Sequence, residues 1–272
     1  MKNLLLFSIF LSLYFHVYAQ TPNALIKAEN AFEKTCLEKG IRDGFLAFVD
    51  SNGIAFTKDG PVNAKQFWNG LPAFDGVFSW SPAYVEMSLS GDWGYTTGNY
   101  EHRPKTMNDP INDFGQYTTV WHRNFNGEWK YLIDVGNDHP PASLDKQAKI
   151  IEIIKISSAD KSKETLLDNP EKEFIRSFEN NISAAYQKYT GDPYILNLSG
   201  YSMITSRDSA VLLLNKIEPS LKYQPSGMKI SSGKDMVAVY GTFGQDNKGG
   251  YYLRIWRHEK DGWKIALEVI KS

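Results

Sequence analysis

The sequence predicts an α+β protein in which a long helix followed by an antiparallel sheet is laid down twice, and three observations lead there. Between residues 80 and 138, four β-branched and aromatic runs follow one another: Ala83 to Ser90, Trp93 to His102, Tyr117 to Arg123 and Trp129 to Val135. The last two are parted by a turn holding Asn126-Gly127, the strongest short-range signal for a hairpin. Upstream, Leu25, Ala28, Phe32 and Cys36 recur at three- and four-residue spacing within Pro22 to Lys39, which Gly40 ends, as expected for a helix with one buried stripe. The third observation is that the strand pattern occurs again.

Pro82, Asp92, Gly98 and Tyr100 match Pro225, Asp235, Gly241 and Phe243 at a single offset of 143. Beyond the next loop the offset is 135, pairing Gly115, Tyr117 and Trp121 with Gly250, Tyr252 and Trp256. After the hairpin turn it is 134, pairing Trp129, Lys130 and Asp134 with Trp263, Lys264 and Glu268. A period this long repeats a whole domain rather than the ~20 to 50 residues of a solenoid unit.

The pattern GDWGYTTGNY, then GQYTTVWHRNFNGEWKYLIDVGND, resembles the SnoaL-like family known as domain of unknown function 4440, in the nuclear transport factor 2-like superfamily. The likeness covers nearly all of residues 22 to 138, and the second copy keeps a thinner version in which nothing answers to Gly136, Asn137 and Asp138. The resemblance implies two tandem cone-shaped domains, each a curved antiparallel sheet wrapped around a long N-terminal helix, with a pocket at the wide end. Relatives include ketosteroid isomerase, scytalone dehydratase, polyketide cyclases and a kinase association domain, so fold and function are not tied one to one.

Met1 to Ala19 carries Lys2, the apolar run Leu4 to Phe15, and Val17-Tyr18-Ala19 before Gln20, the pattern of a secretory signal peptide. A run of twelve residues falls short of the ~20 that span a bilayer. The expectation is an exported protein, periplasmic or extracellular, with no membrane span. The remaining chain divides into residues 20–138, a linker at 139–169, and residues 170–272. Cys36 is the one cysteine. It has no partner for an internal disulfide and belongs to the stripe of a core helix. Thirty basic residues face thirty-one acidic ones, without a basic block, which argues against nucleic acid as a partner.

Ile41 to Val49 reads as a second short helix, and Asp50-Ser51-Asn52-Gly53 as an Asx turn into the strand Ile54 to Thr57. Within the linker, Lys149 to Ile156 fits a strand or an amphipathic helix equally. Asp168 or Asn169 then caps a helix with Pro170 in its first turn and Phe174, Phe178, Ile182, Ala185, Tyr186 and Tyr189 on one stripe. Gly191-Asp192-Pro193 ends it, placing Asp192 where Asp43 stands in the first copy and Ser199 where Asp50 stands. Asn181-Ile182-Ser183 and Asn197-Leu198-Ser199 fit glycosylation sequons.

The chain carries no Gly-x-Ser-x-Gly elbow, no phosphate loop, no dinucleotide fingerprint and no Cys or His pair at metal-ligand spacing, so no metal and no cofactor is expected. Beyond the expected signal peptide, the histidines His102, His122, His139 and His258 are scattered. In enzymes of the resembled superfamily, acids, Tyr and His project into an apolar cavity where desolvation raises a carboxyl pKa. The corresponding candidates are Asp134 and Asp50 as the catalytic acids, with Trp80, Tyr95, Tyr117, Trp121 and Asn137 around the pocket. Strand alternation groups Asp134 with Lys130 and Leu132, opposite Trp129, Tyr131 and Ile133, and leaves open which set faces inward. Eight additional residues between Tyr100 and Gly115 set the first copy apart. They form a longer hairpin with Arg103, Asn108 and Asp109, long enough for a lid or a contact surface.

Three functions are compatible with these residues. The favoured one is an exported protein that binds a small apolar or amphipathic molecule in the first cone. The alternatives are an isomerase, dehydratase or cyclase with Asp134 as general base, and an interaction module in which the two domains pair within the chain or in a homodimer. An open first cavity discriminates for binding, and filled cavities in both copies leave the interaction role.

Overall fold

The computed structural model describes residues 21–144, 147–151, 168–216, 221–245 and 248–272. The expected signal peptide at 1–19 and the stretch 152–167 of the expected linker lie outside the described residues. The N-terminal half opens with α1 (Pro22–Lys39) and α2 (Ile41–Phe48), hinged at Gly40 in a left-handed conformation with φ 84°. The stripe Leu25, Ala28, Phe32 and Cys36 is buried as its spacing predicts, and Glu29 is buried with it.

Strands β1 (Val49–Thr57) and β2 (Gly60–Asn63), helix α3 (Ala64–Gly70) and strands β3 (Val77–Trp80), β4 (Tyr84–Met87), β5 (Trp93–Arg103), β6 (Asp113–Arg123), β7 (Trp129–Asp138) and β8 (Lys149–Ile151) follow. They form one sheet in the order β2-β1-β7-β6-β5-β4-β8, with β3 also beside β5. The four strands expected from residue 83 to 138 pair antiparallel. The sheet as a whole is mixed, which corrects the wholly antiparallel expectation. β1 runs parallel to β7, and β8, drawn from the expected linker, runs parallel to β4. Local periodicity marks a strand but carries no information about its direction relative to a distant neighbour.

The C-terminal half comprises α4 (Asp168–Asn180), α5 (Ile182–Tyr189), β9 (Thr190–Leu198), α6 (Arg207–Leu214), β10 (Lys222–Ile230), β11 (Met236–Gln245), β12 (Lys248–Glu259) and β13 (Gly262–Lys271). The strands form a second mixed sheet in the order β10-β11-β12-β13-β9. The single helix expected here is two. Asn181 leaves helical geometry at φ −159° and its side chain accepts the Ala184 amide, so a residue that favours the N-cap starts a new helix while the apolar stripe stays buried on both sides of the break.

The parallel pairings correct the alignment of the two halves. Thr190 lies beside Ile265 and Ile195 beside Leu267, just as Val49 lies beside Tyr131 and Ile54 beside Ile133. Gly191, not Ser199, therefore occupies the place of Asp50, and Asp192 falls at the place of Ser51 rather than Asp43. Lys271, within β13, occupies the register of Asn137.

Both sheets carry a β-bulge at the same register. In β7 the pairing steps from Val120–Ile133 to Trp121–Tyr131, leaving Leu132 over. In β13 it steps from Ile255–Leu267 to Trp256–Ile265, leaving Ala266 over. One inserted residue resets which side chains share a face. Tyr131 packs against α1 with Phe32 and Trp121, whereas Ile133 and Val135 face the other sheet. The glycines of the repeated strand also have a common cause. A Cβ on Gly98 would lie 2.1 Å from the Ser81 carbonyl oxygen and one on Gly241 2.1 Å from that of Gln224, where the adjacent strand bends in.

Three apolar clusters result. One lies between α1 and the first sheet, one between α4, α5, α6 and the second sheet, and one between the sheets themselves. The inter-sheet layer is crossed by polar contacts: Arg257 Nη1 meets Glu86 at 2.9 Å, Tyr95 donates to Glu86 at 2.7 Å, and Asn197 donates to Thr97 and Thr118. Asn197 is fully buried here, so its sequon is not open to a glycan. Among the described residues no helix is long and apolar enough to cross a membrane.

Candidate functional site

The interior of the N-terminal half is organised by a carboxylate that the helical stripe carries inward. Glu29 lies four residues after Leu25 and three before Phe32, so the helix buries it with them. Its Oε1 accepts from Trp80 Nε1 at 2.6 Å, and its Oε2 from Trp121 Nε1 at 3.0 Å and from Thr96 Oγ1. Burial raises its pKa against those hydrogen bonds. Glu29 escaped the motif-based reading. The signal that exposes it is an acid at an apolar-stripe position.

The C-terminal half holds its own carboxylates differently. Glu171 of α4 accepts from Trp256 Nε1 at 2.7 Å, as Glu29 does from Trp121 at the same register, and Glu268 of β13 occupies the register of Asp134. Between them lies Arg254, fully buried, 2.5 Å from Glu171 and 2.5 Å from Glu268. Its guanidinium stands over the rings of Phe174, Tyr223 and Tyr252 at 4.1, 4.9 and 5.0 Å. Burial works against that charge, and the two acids outweigh it and hold the guanidinium protonated. At Arg254's register the N-terminal half has Thr119, so among the described residues neither Glu29 nor Asp134 has an ion-pair partner.

Asp134 faces the helix side. Its Oδ2 accepts from Thr119 Oγ1 at 2.8 Å, and burial, with Glu29 adding like charge, pushes its pKa to about 7. It lines a cavity of about 110 Å³ walled by Phe45, Phe56, Phe67, Trp68, Tyr131 and, from the C-terminal half, Tyr251. Phe56 and Tyr251 close one side, stacked at 4.5 Å between centroids. The Tyr131 hydroxyl, near the Trp68 indole, is buried and has no hydrogen-bond partner among the described residues. Cys36 is buried behind this group. Burial and then Asp134, Glu29 and Glu33 push its thiol pKa up, which leaves it unreactive.

The other residues singled out from the sequence fall in several places. Trp80, Tyr117 and Trp121 belong to the packed cluster around Glu29 rather than to the cavity wall. Tyr95 and Asn137 are corrections, because both lie on the opposite face of the sheet. Tyr95 is in the inter-sheet cluster, and Asn137, with its amide oriented to satisfy both neighbours, bridges the Gln116 carbonyl and the Ser199 amide of the other half. Asp50 lies outside the cavity, paired with His122 at 2.9 Å. Partial burial would raise its pKa, but the Asn52 amide, His122 and Lys229 outweigh that and lower it. The long hairpin does not cover the cavity. Arg103 binds Ser79 and Glu101, Asp109 caps its own turn through the Lys105 and Thr106 amides, and Asn108 is exposed.

A larger recess of about 620 Å³ opens to solvent beside β9 and α6, where Lys264 pairs with Asp261 at 3.1 Å and Glu259 with Arg257 at 2.6 Å, and Asp192, Arg207 and Asp208 also line it. Among the described residues no cluster of three or more His, Cys, Asp and Glu could hold a metal.

Asp134→Asn is expected to remove one proton's worth of pH dependence from stability. Between about pH 4 and 7 the folded protein keeps a proton on Asp134 that the unfolded chain has released, so stability falls as pH rises through that window. One such site contributes a slope of at most ~1.4 kcal/mol per pH unit. Urea midpoints of both proteins across pH 4 to 8 measure it, and parallel curves would place the titration elsewhere.

No known family pattern matches the chain, and no curated protein is similar to it. Solved structures are. An NTF2-like protein of unknown function from Shewanella oneidensis is 18% identical over 37% of this chain and 91% of its own length, with a TM-score of 0.31. An NTF2-like protein from Cytophaga hutchinsonii is 16% identical over 38% and 93%, also with a TM-score of 0.31. A DUF4783 family protein from Bacteroides uniformis is 16% identical over 39% and 97%, with a TM-score of 0.32.

Proposed function

We propose that this chain is an exported small-molecule-binding protein built from two tandem cone-shaped units, residues 20–138 and 170–272, of which the first binds and the second closes and braces it. The observation that carries this reading is the cavity at Asp134, an open volume beside a carboxyl with no counter-charge among the described residues, where the other half sets Arg254 against the matching Glu268. About 110 Å³ is roughly the volume of four waters and well under the ~300 Å³ of drug-sized sites, so the ligand has only a few heavy atoms and is not a large amphipath. Tyr251 belongs to the wall, so the site requires both halves.

The test is a screen of neutral and charged fragments of about four to six heavy atoms against the full chain, followed on the Trp68 indole and Tyr131 ring signals by NMR. Saturable shifts confined to these groups are expected for some fragments. Their absence for all would leave the pairing of two sheets as the function. A second reading, proton-transfer catalysis with Asp134 as the base, is favoured by its pKa near 7. An Asp134 titration near the ~3.9 of a free side chain would remove it.

A further inference from the structure

Around the acid of the last strand, the two halves differ at three registers, and all three differences have the same sense. Glu268 receives Arg254 through Nε at 3.1 Å and Nη2 at 2.5 Å, the Tyr186 hydroxyl at 2.5 Å and the Tyr194 hydroxyl at 3.3 Å. The N-terminal half keeps the acid as Asp134 and replaces these donors with Thr119, Phe45 and Gly53. Only the Thr119 hydroxyl still donates, and among the described residues Oδ1 of Asp134 receives nothing. Trp80 Nε1 takes over donation to the helix glutamate, so the interior near Glu29 is packed and the open volume lies on the Asp134 side.

We infer that the cavity beside Asp134 takes a small planar organic cation of the guanidinium or amidinium class, the group that Arg254 supplies to Glu268 from within the chain. The inference rests on the binding role proposed above for that cavity. A neutral apolar ligand would shut the Asp134 oxygen off from water without offering it a donor, and would leave the buried Tyr131 hydroxyl unsatisfied. An anion would meet the Asp134 carboxyl and, among the described lining residues, no cation. A planar cation donates to Asp134, offers an N–H to the Tyr131 oxygen and lays its faces against the aromatic walls, as Arg254 lies over Phe174, Tyr223 and Tyr252. An amidinium of four heavy atoms suits the volume, whereas the side chain of a whole arginine does not.

Acetamidinium and its neutral counterpart acetamide, titrated separately into the full chain with the Trp68 indole and Tyr131 ring as NMR reporters, test the charge at constant shape. Acetamidinium is expected to saturate with an affinity at least tenfold above acetamide, and Asp134→Asn to reduce that affinity at least tenfold. Equal affinity for the two probes, or an unchanged acetamidinium affinity in the variant, overturns the cation class and leaves a binding cavity standing. No saturable shift with acetamidinium while neutral fragments bind also overturns the class, and no shift with any probe overturns the binding role as well. The comparison of the two probes needs no variant, so it decides even if Asp134→Asn fails to fold.

Discussion

Arg254→Met is expected to destabilise the protein by about 3–5 kcal/mol, because it removes one member of a fully buried charge cluster and leaves the others without compensation. Glu171 and Glu268 each lie 2.5 Å from the guanidinium, and both carboxyls are buried with it. With the arginine gone, two carboxylates face each other in an apolar interior and must take up protons to stay there. The three aromatic faces that the guanidinium covers also lose their contact. The loss should therefore deepen as pH rises from about 4 to 8, since the variant fold has to hold protons that the unfolded chain releases. Adding Glu171→Gln and Glu268→Gln should recover much of the stability, because neutral groups remain hydrogen-bonded by Trp256, Tyr186, Tyr194 and Tyr252. Urea denaturation at several pH values measures both effects. A loss under 1 kcal/mol for the single change would mean that water reaches the cluster.

Arg257→Met is expected to cost a similar ~3–5 kcal/mol by a different route, since its partner Glu86 belongs to the other half. Glu86 is fully buried between the sheets and accepts from Arg257 at 2.9 Å and from Tyr95 at 2.7 Å. Removing the arginine strands that carboxylate in the inter-sheet layer, beside Trp93, Ile255 and Leu253. The double change with Glu86→Gln should lose clearly less than the two single losses added together, the signature of direct coupling. Because the pair bridges the halves, hydrogen exchange should rise in β4 and β12 before it rises at α1 or α4. Uniform exchange in both halves would show that the sheets do not separate as a unit.

Much of the fold was legible in the chain because its causes are local. The runs from Ala83 to Val135 and the Asn126-Gly127 turn mark the strands, and the spacing of Leu25, Phe32 and Cys36 marks α1. The matched registers Trp121 and Trp256 carry the same hydrogen-bonding role in the two sheets, and Asp134 and Glu268 stand at the same position of the last strand. The candidate site was legible only in part. Asp134 could be named, but Tyr95 and Asn137 were grouped with it although their side chains point to the other sheet. Glu29 and the wall residues Trp68, Phe56 and Tyr251 belong to no motif, and long-range packing alone assembles them.

By itself, the sequence determined α1, the strands from Ala83 to Val135 and the matched spacing of their counterparts in the second half, since strand alternation, helical spacing and turn residues act over a few positions. Tertiary structure alone decided which way Asp134 points. The extra residue Leu132 breaks the alternation of β7, so Tyr131 and Asp134 share the helix face although strict alternation sets them on opposite sides. Such a bulge is imposed by the pairing partner across the sheet, so its effect on the direction of a side chain is set by contacts far away along the chain.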